Sequence, residues 1–298
     1  MIDPPALRGR ERYERVVEGW IDNTHDDAFT HTVRLADPDR EIEISVVATP
    51  SPTYEIRAAR GRVIAGAVDR SVMDGLAGLA GARMVGGLTR RVAEATGPGD
   101  GAVLVRDAVI ELARLARQVA KLDPARAARA ATGDPWECWQ LDTSGWIDLP
   151  DSCFTYSDAG RQLFGTRPVT SPMRPDLYAP RPGQASVFAR RKVCRLERRA
   201  RRLDLFHSMH DDVHGFEISY AVDLDTDLIV DARSVTPKLP YTGICSEPQR
   251  KIASLIGERV DAGLPKRLQT LIGGSSGCAQ LYDLTADLLK LLALDPGG

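Results

Sequence analysis

The chain repeats itself, and this constrains its architecture more than any other feature. Shifting residues 87–116 by 176 lays Gly87 on Gly263, Leu88 on Leu264, Arg91 on Arg267, Gly97 on Gly273, Gly101 on Gly277 and Asp107 on Asp283. Eight of the 30 positions are identical without a gap, where unrelated sequences of average composition would give about two. A second block aligns at a shift of 187, with Phe29 on Phe216, Ile42 on Ile229, Thr49-Pro50 on Thr236-Pro237 and Tyr54 on Tyr241. The two shifts differ by 11, which predicts an insertion of that length in the first copy. Two copies are too few for a solenoid. They predict a pseudo-twofold arrangement in which the copies meet through like surfaces.

Each copy reads as strands followed by helices. Residues 202–210 alternate, with Leu203, Leu205, His207 and Met209 on one face, which is the period of a strand. Asp211-Asp212-Val213-His214-Gly215 has turn chemistry. A second strand over 216–224 and a third over 228–235 follow, ended by Pro237 and Pro240. Ser246-Glu247-Pro248 predicts a helix start. A closing helix is expected over 278–294, with Leu281, Leu284, Leu288, Leu291 and Leu292 inward. The predicted class is α+β, with two similar units of β-hairpin and strand plus two helices in pseudo-twofold arrangement. The units cover 1–120 and 198–298, the repeat itself running over about 10–120 and 198–294.

Residues 121–197 differ in character. They carry Trp136, Trp139 and Trp146 within 11 positions and prolines from Pro150 to Pro182. A structureless linker rarely spends tryptophan this way, so an ordered segment covering the cleft between the units is expected.

Hydrophobic residues make up 43% of the chain, charged residues 27%, and the net charge is −2. That balance fits a globular chain and excludes collagen-like, disordered and disulfide-scaffold classes. No apolar run reaches the roughly 20 residues a membrane helix needs. Five scattered cysteines without C-x-x-C spacing and a start without an apolar leader predict reduced thiols in the cytoplasm. No membrane partner is expected, and the chain is expected to be a monomer or homodimer.

All five histidines fall in the two equivalent hairpin regions. His207, His210 and His214 resemble a metal set on paper, but an odd separation along a strand sends side chains to opposite faces, so no metal is predicted. His207, on the apolar face, is the chosen acid/base histidine. Residues 190–202 hold eight basic residues and one acid. Without interleaved aromatics, and in a slightly acidic chain, they read as a charged helix gripping the other unit, and a nucleic-acid role is disfavoured. No G-x-G-x-x-G follows a strand and no Walker lysine is present, so no cofactor is predicted. The middle segment mixes carboxylates and phenols, among them Asp151, Tyr156 and Tyr178, enough for proton transfer on an apolar substrate.

The motifs Arg201-Arg202-Leu203-Asp204-Leu205, then Leu239-Pro240-Tyr241-Thr242-Gly243-Ile244-Cys245, then Gly277-Cys278-Ala279-Gln280-Leu281 resemble the family known as domain of unknown function 2889. Longer members are similar along most of the chain, with a middle like Gly145-Trp146 to Cys153. Ala279-Gln280 stands where the family has Thr-His, so Gln280 cannot perform any chemistry of that histidine. The resemblance implies small-molecule work, lignin-type aromatic catabolism included. The expected function is therefore a cofactor-independent lyase or isomerase acting on an apolar aromatic molecule. His207, Asp151 and Tyr156 are its expected catalytic groups, and Arg202, Tyr241, Trp146 and Tyr178 its substrate-binding groups. A non-catalytic binding or assembly protein and a nucleic-acid accessory are the alternatives.

Overall fold

Alternation of apolar and polar residues sets the strands. The structure, a computed structural model, describes residues 3–293. In β3 (Glu41–Ala48) every second residue, Ile42, Ile44, Val46 and Ala48, is fully buried while the intervening ones are not. The first four strands are β1 (Arg12–Asp22), β2 (Phe29–Ala36), β3 and β4 (Ile56–Ala65). Helices α1 (Arg70–Asp74), α2 (Leu88–Thr96) and α3 (Ala102–Leu115) follow. The middle of the chain forms four short helices, α4 (Pro124–Ala127), α5 (Pro135–Gly145), α6 (Asp158–Gln162) and α7 (Pro175–Tyr178). Four more strands come next, β5 (Phe188–Arg199), β6 (Arg202–Asp211), β7 (Gly215–Asp223) and β8 (Leu228–Lys238). A 3-10 segment (Pro248–Leu255) then leads to α8 (Leu264–Ile272) and α9 (Ala279–Leu291).

All eight strands join one antiparallel sheet in the order β4-β3-β2-β1-β5-β6-β7-β8. Its centre is the β1–β5 pair, where Val16 faces Val193 and Glu18 faces Arg191. Helix α3 packs on β1, β2 and β3, and α9 packs on β6 and β7. Each Val, Leu or Ile buried between sheet and helices contributes roughly 1.5–3 kcal/mol. Gly19 lets α3 come close, since a Cβ there would lie 2.6 Å from Leu115.

The two four-strand runs end alike. Ile56 N–H donates to Ala82 and its carbonyl accepts from Gly81, each at 2.8 Å. Ile229 does the same with Glu258 at 2.9 Å and Gly257 at 2.8 Å. Gly81 and Gly257 both have positive φ, +79° and +88°, a conformation that favours glycine. Thus the start of β4 corresponds to the start of β8, while α2 and α8 keep the 176 offset read from the sequence. The block shifted by 187 lays β2 on β7 and β3 on β8, whereas the matching hydrogen bonds at Ile56 and Ile229 set β4 beside β8. Strands of one hairpin share period and composition, so self-alignment slips by a strand without changing which residues face inward.

Other expectations need correction. Residues 190–202 are mostly β5, a central strand rather than a helix, and the expected boundary at 198 falls inside it. The helix expected after Ser246 is the 3-10 segment, without a side-chain cap. The closing helix starts at Ala279, with the Cys278 sulfur accepting from Leu281 N–H at 3.5 Å. Leu294, its expected last residue, and Met1-Ile2 lie outside the described residues.

Candidate functional site

Helix α5 is short, and its ends explain what it displays. Asp134 caps it by accepting from Trp136 N–H at 2.8 Å, and Pro135 fits the first turn. The face at Cys138, Leu141, Asp142 and Gly145 turns inward, carrying a carboxylate into the core. Asp142 is 1% exposed. Three phenols donate to it: Tyr156 at 2.8 Å, Tyr178 at 2.6 Å, and Tyr241. Burial pushes the Asp142 carboxyl up to about 6, and the three phenol hydrogen bonds hold back a larger rise. Burial, reinforced by the Asp142 charge, raises all three phenols, so they stay protonated donors.

Asp142 forms part of the wall of a cavity of about 300 Å³. Trp146, Leu149, Met173, Val213 and Phe216 give it a largely apolar lining. The Trp146 indole N–H is buried and has no hydrogen-bond partner among the described residues. Buried donors are nearly always satisfied by protein or water, so this N–H is open to an oxygen acceptor.

His214 also lines the cavity. Its Nδ1 lies 3.1 Å from both oxygens of Asp211, which Arg190 grips at 2.7 and 2.8 Å. Burial pushes the Asp211 carboxyl up, but His214, Arg190 and the Val213 N–H outweigh it and keep it well below the usual range. Asp211 also accepts from the backbone N–H of Val213 and His214, at 2.8 and 2.6 Å, so the turn itself holds the dyad. On another wall Arg117 binds Asp148 at 2.5 Å. Cys153, Cys245 and Cys278 reach the cavity as well. Burial raises all three thiols, Cys278 to about 11, so they are protonated near neutral pH and a cysteine nucleophile has no support here.

Of the residues expected from sequence, Tyr156, Tyr241 and Trp146 converge on this cavity. Tyr178 stands behind Trp146, with rings 5.7 Å apart, and bonds Asp142. The other three lie elsewhere. His207 is buried under α9 with Nδ1 2.9 Å from the Leu284 carbonyl, and burial with nearby Lys192 lowers it to about 4. Asp151 sits exposed in a left-handed turn, φ +58°. Arg202 is exposed at the start of β6 and pairs with Asp204 at 2.5 Å. Asp142 and His214, neither of them expected from sequence, line the cavity, whereas Asp151 and His207 do not. A carboxylate on the inward face of a helix was readable at Asp142 from Cys138, Leu141 and Gly145, and Asp-x-x-His at a turn was readable at Asp211.

His210 is exposed and faces Glu217 at 3.4 Å, so the three hairpin histidines of the second unit have separate surroundings. Among the described residues no group of three or more His, Cys, Asp or Glu is placed to hold a metal ion. The basic run on β5 is paired: Arg191 with Glu18, Arg195 with Glu14, Arg199 with Glu197, and Lys192 with Glu111 and Asp287. No helix among the described residues is long and apolar enough to cross a membrane.

Residues 176–293 match the model of the family described as "Protein of unknown function (DUF2889)". The match runs from α7 through β5–β8 to the end of α9 and leaves α5 outside. No curated protein and no solved structure matches the chain.

Proposed function

We propose that this chain is an enzyme of the lyase or isomerase type, working without a cofactor by acid/base chemistry on an apolar aromatic small molecule. The observation that carries the reading is the Asp142 carboxyl, buried at the wall of an apolar cavity with its pKa near 6. A carboxyl tuned toward neutrality suits a group that takes or returns a proton. Asp142 is assigned proton transfer, a role expected earlier of His207 and Asp151. Tyr156 and Tyr241 donate to Asp142 or to a substrate oxygen. His214, oriented by Asp211, is the second titratable group facing the same space. In an isomerase one of the two takes a substrate proton and the other returns one at a new position. In a lyase the electron pair left by that proton expels the leaving group. Arg117 and Arg190 replace Arg202 as the cations near developing negative charge.

The architecture belongs to the same proposal. Strands β1–β4 with α1–α3, and β5–β8 with α8 and α9, are two copies of one unit about a pseudo-twofold axis between β1 and β5, covered on one side by the middle segment. The family resemblance favours a lignin-type aromatic setting, the scattered cysteines favour the cytoplasm, and the proposal takes the chain as a monomer or homodimer.

The test uses uncharged phenylpropanoid phenols as probes. Conversion is followed by mass spectrometry and binding by tryptophan fluorescence. Wild type is expected to convert at least one probe, and Asp142→Asn to bind it but lose roughly 10²–10⁴ in rate. A probe that binds wild type saturably and emerges unchanged favours the second reading, a binding protein. That reading draws on the three phenols, which satisfy Asp142 without any substrate.

A further inference from the structure

A second cleft, of about 660 Å³, lies at the opposite ends of the same two helices. The aromatic cavity uses Arg114, Arg117 and Gln118 at the end of α3 and Ala279, Gln280 and Asp283 at the start of α9. The cleft uses Val103, Leu104 and Arg106 near the start of α3 and Tyr282, Lys290 and Leu291 along α9. Each is also bordered by one turn of identical construction. Asp37 accepts from Asp39 and Arg40 N–H at 2.9 and 2.8 Å and donates its own N–H to the Arg40 carbonyl at 2.8 Å. Asp211 does the same with Val213 and His214, its N–H reaching the His214 carbonyl at 2.9 Å. The scaffold is therefore repeated, while the side chain it presents changes from histidine to arginine.

The charge of the lining changes with it. Five cations and three carboxylates among the described residues face the cleft. Arg15 is neutralised by Asp107 at 2.6 Å, Arg8 by Asp39 at 3.3 Å, and Arg40 by Asp100. Two cations are not neutralised this way. Arg106 has no ion pair or hydrogen bond among the described residues, and its Nε is buried. Among the described residues Lys290 pairs only with Asp287, at 3.8 Å, a carboxylate already shared by Lys192 and Arg114. A guanidinium nitrogen left buried and unpaired costs about 1–3 kcal/mol or more, a cost an arriving oxyanion removes. Leu104, Ile110 and Tyr282 supply apolar surface beside it.

We propose that this cleft is a second ligand site that takes an organic carboxylate, its anionic end on Arg106 and Lys290 and its apolar body on Leu104 and Tyr282. The proposal is independent of the chemistry assigned to the aromatic cavity.

Benzoate is the probe, titrated calorimetrically into the full chain, with benzyl alcohol and inorganic phosphate in parallel. Benzoate is expected to bind wild type saturably and about tenfold more weakly to Arg106→Gln, with Asp142→Asn unchanged. Benzyl alcohol and phosphate are each expected to bind at least about tenfold more weakly than benzoate, lacking one half of the recognition. Lys290→Gln, an exposed-end change, repeats the test should Arg106→Gln fail to fold as judged by circular dichroism. Benzoate binding that survives both substitutions overturns the proposal. So does binding lost in Asp142→Asn, which places benzoate in the aromatic cavity, or phosphate binding as tightly as benzoate, which reduces the cleft to a bare cationic patch.

Discussion

Two carboxylate clusters, one at Asp142 and one at Glu111 and Asp287, are shifted in opposite directions. Around Asp142 every donor is a neutral phenol, and its carboxyl rises to about 6. Between α3, α9 and β5, Glu111 and Asp287 share Lys192 at 2.7 and 2.8 Å, and Arg114 joins both. Burial alone would raise those two acids as well, but Lys192 and Arg114 outweigh it and hold them below the ordinary range. Asp142 and Glu111 are buried and Asp287 is half-buried, so burial alone does not separate the clusters; the partners' charge decides the outcome. Asp142 is therefore the carboxyl shifted toward neutrality, while the seam is an ionic clamp joining the central strand to both helices.

The largest expected effect breaks the first half of that contrast. Asp142→Asn keeps the shape and removes the titrating group, so turnover of any substrate found falls by roughly 10²–10⁴, read as initial rate at saturating probe. In wild type the same rate is expected to change with pH around 6, where burial places this carboxyl, and the variant is expected to lack that inflection.

The clamp is next. Lys192→Met leaves Glu111 and Asp287 short of a cation and is expected to cost about 3–5 kcal/mol in urea unfolding at pH 7. Adding Glu111→Gln to Lys192→Met should recover part of it. An additive double mutant would show the groups to be independent and end the comparison.

The pH dependence of stability sharpens it further. Glu111 and Asp287 have depressed pKa values, so their stabilisation is complete above about 4.5, the unfolded carboxylate range, and is lost as pH falls below it. Asp142 is raised, so its charged form opposes folding, and its cost grows as pH rises from about 4 to 6. Wild type should therefore lose stability on acidification below about 4.5. Asp142→Asn should gain on wild type between pH 4 and 6, by about 2–3 kcal/mol at most. Guanidinium melts across that range would measure both slopes, and parallel curves for the two proteins would contradict the assignment.

The smallest effect is expected at Arg202→Ala. Arg202 lies on the surface, 55% exposed, beside Asp204, so stability should stay within about 0.5 kcal/mol and turnover unchanged.

Much of this was legible before any coordinates. The 176 shift located α2 with α8 and α3 with α9, because glycines at helix starts and an inward leucine stripe recur at those positions. Period-two alternation gave β6 and β7 and the face carrying His207. Aromatic density in the middle segment pointed to Trp146, Tyr156 and Tyr178. The β5 strand was missed because alternate arginines on a central strand are masked as a basic run; only their pairing with β1 and with α3 and α9 gives each charge a partner. His207 lies on the apolar face that alternation gives it, but alternation does not tell what covers that face. Here the cover is α9, not a cleft.

What the amino-acid order determined by itself is local: where strands alternate, where prolines and glycines end them, and that two stretches share one pattern. Tertiary structure alone decided that the sheet is continuous through β1 and β5, that Asp142 meets three tyrosines from distant segments, and that His214 rather than His207 faces open space. The reason is physical. Periodicity acts over a few residues through backbone geometry, whereas the charge state of a carboxylate depends on whichever groups, up to 99 positions away in the case of Tyr241, the fold brings within hydrogen-bond reach.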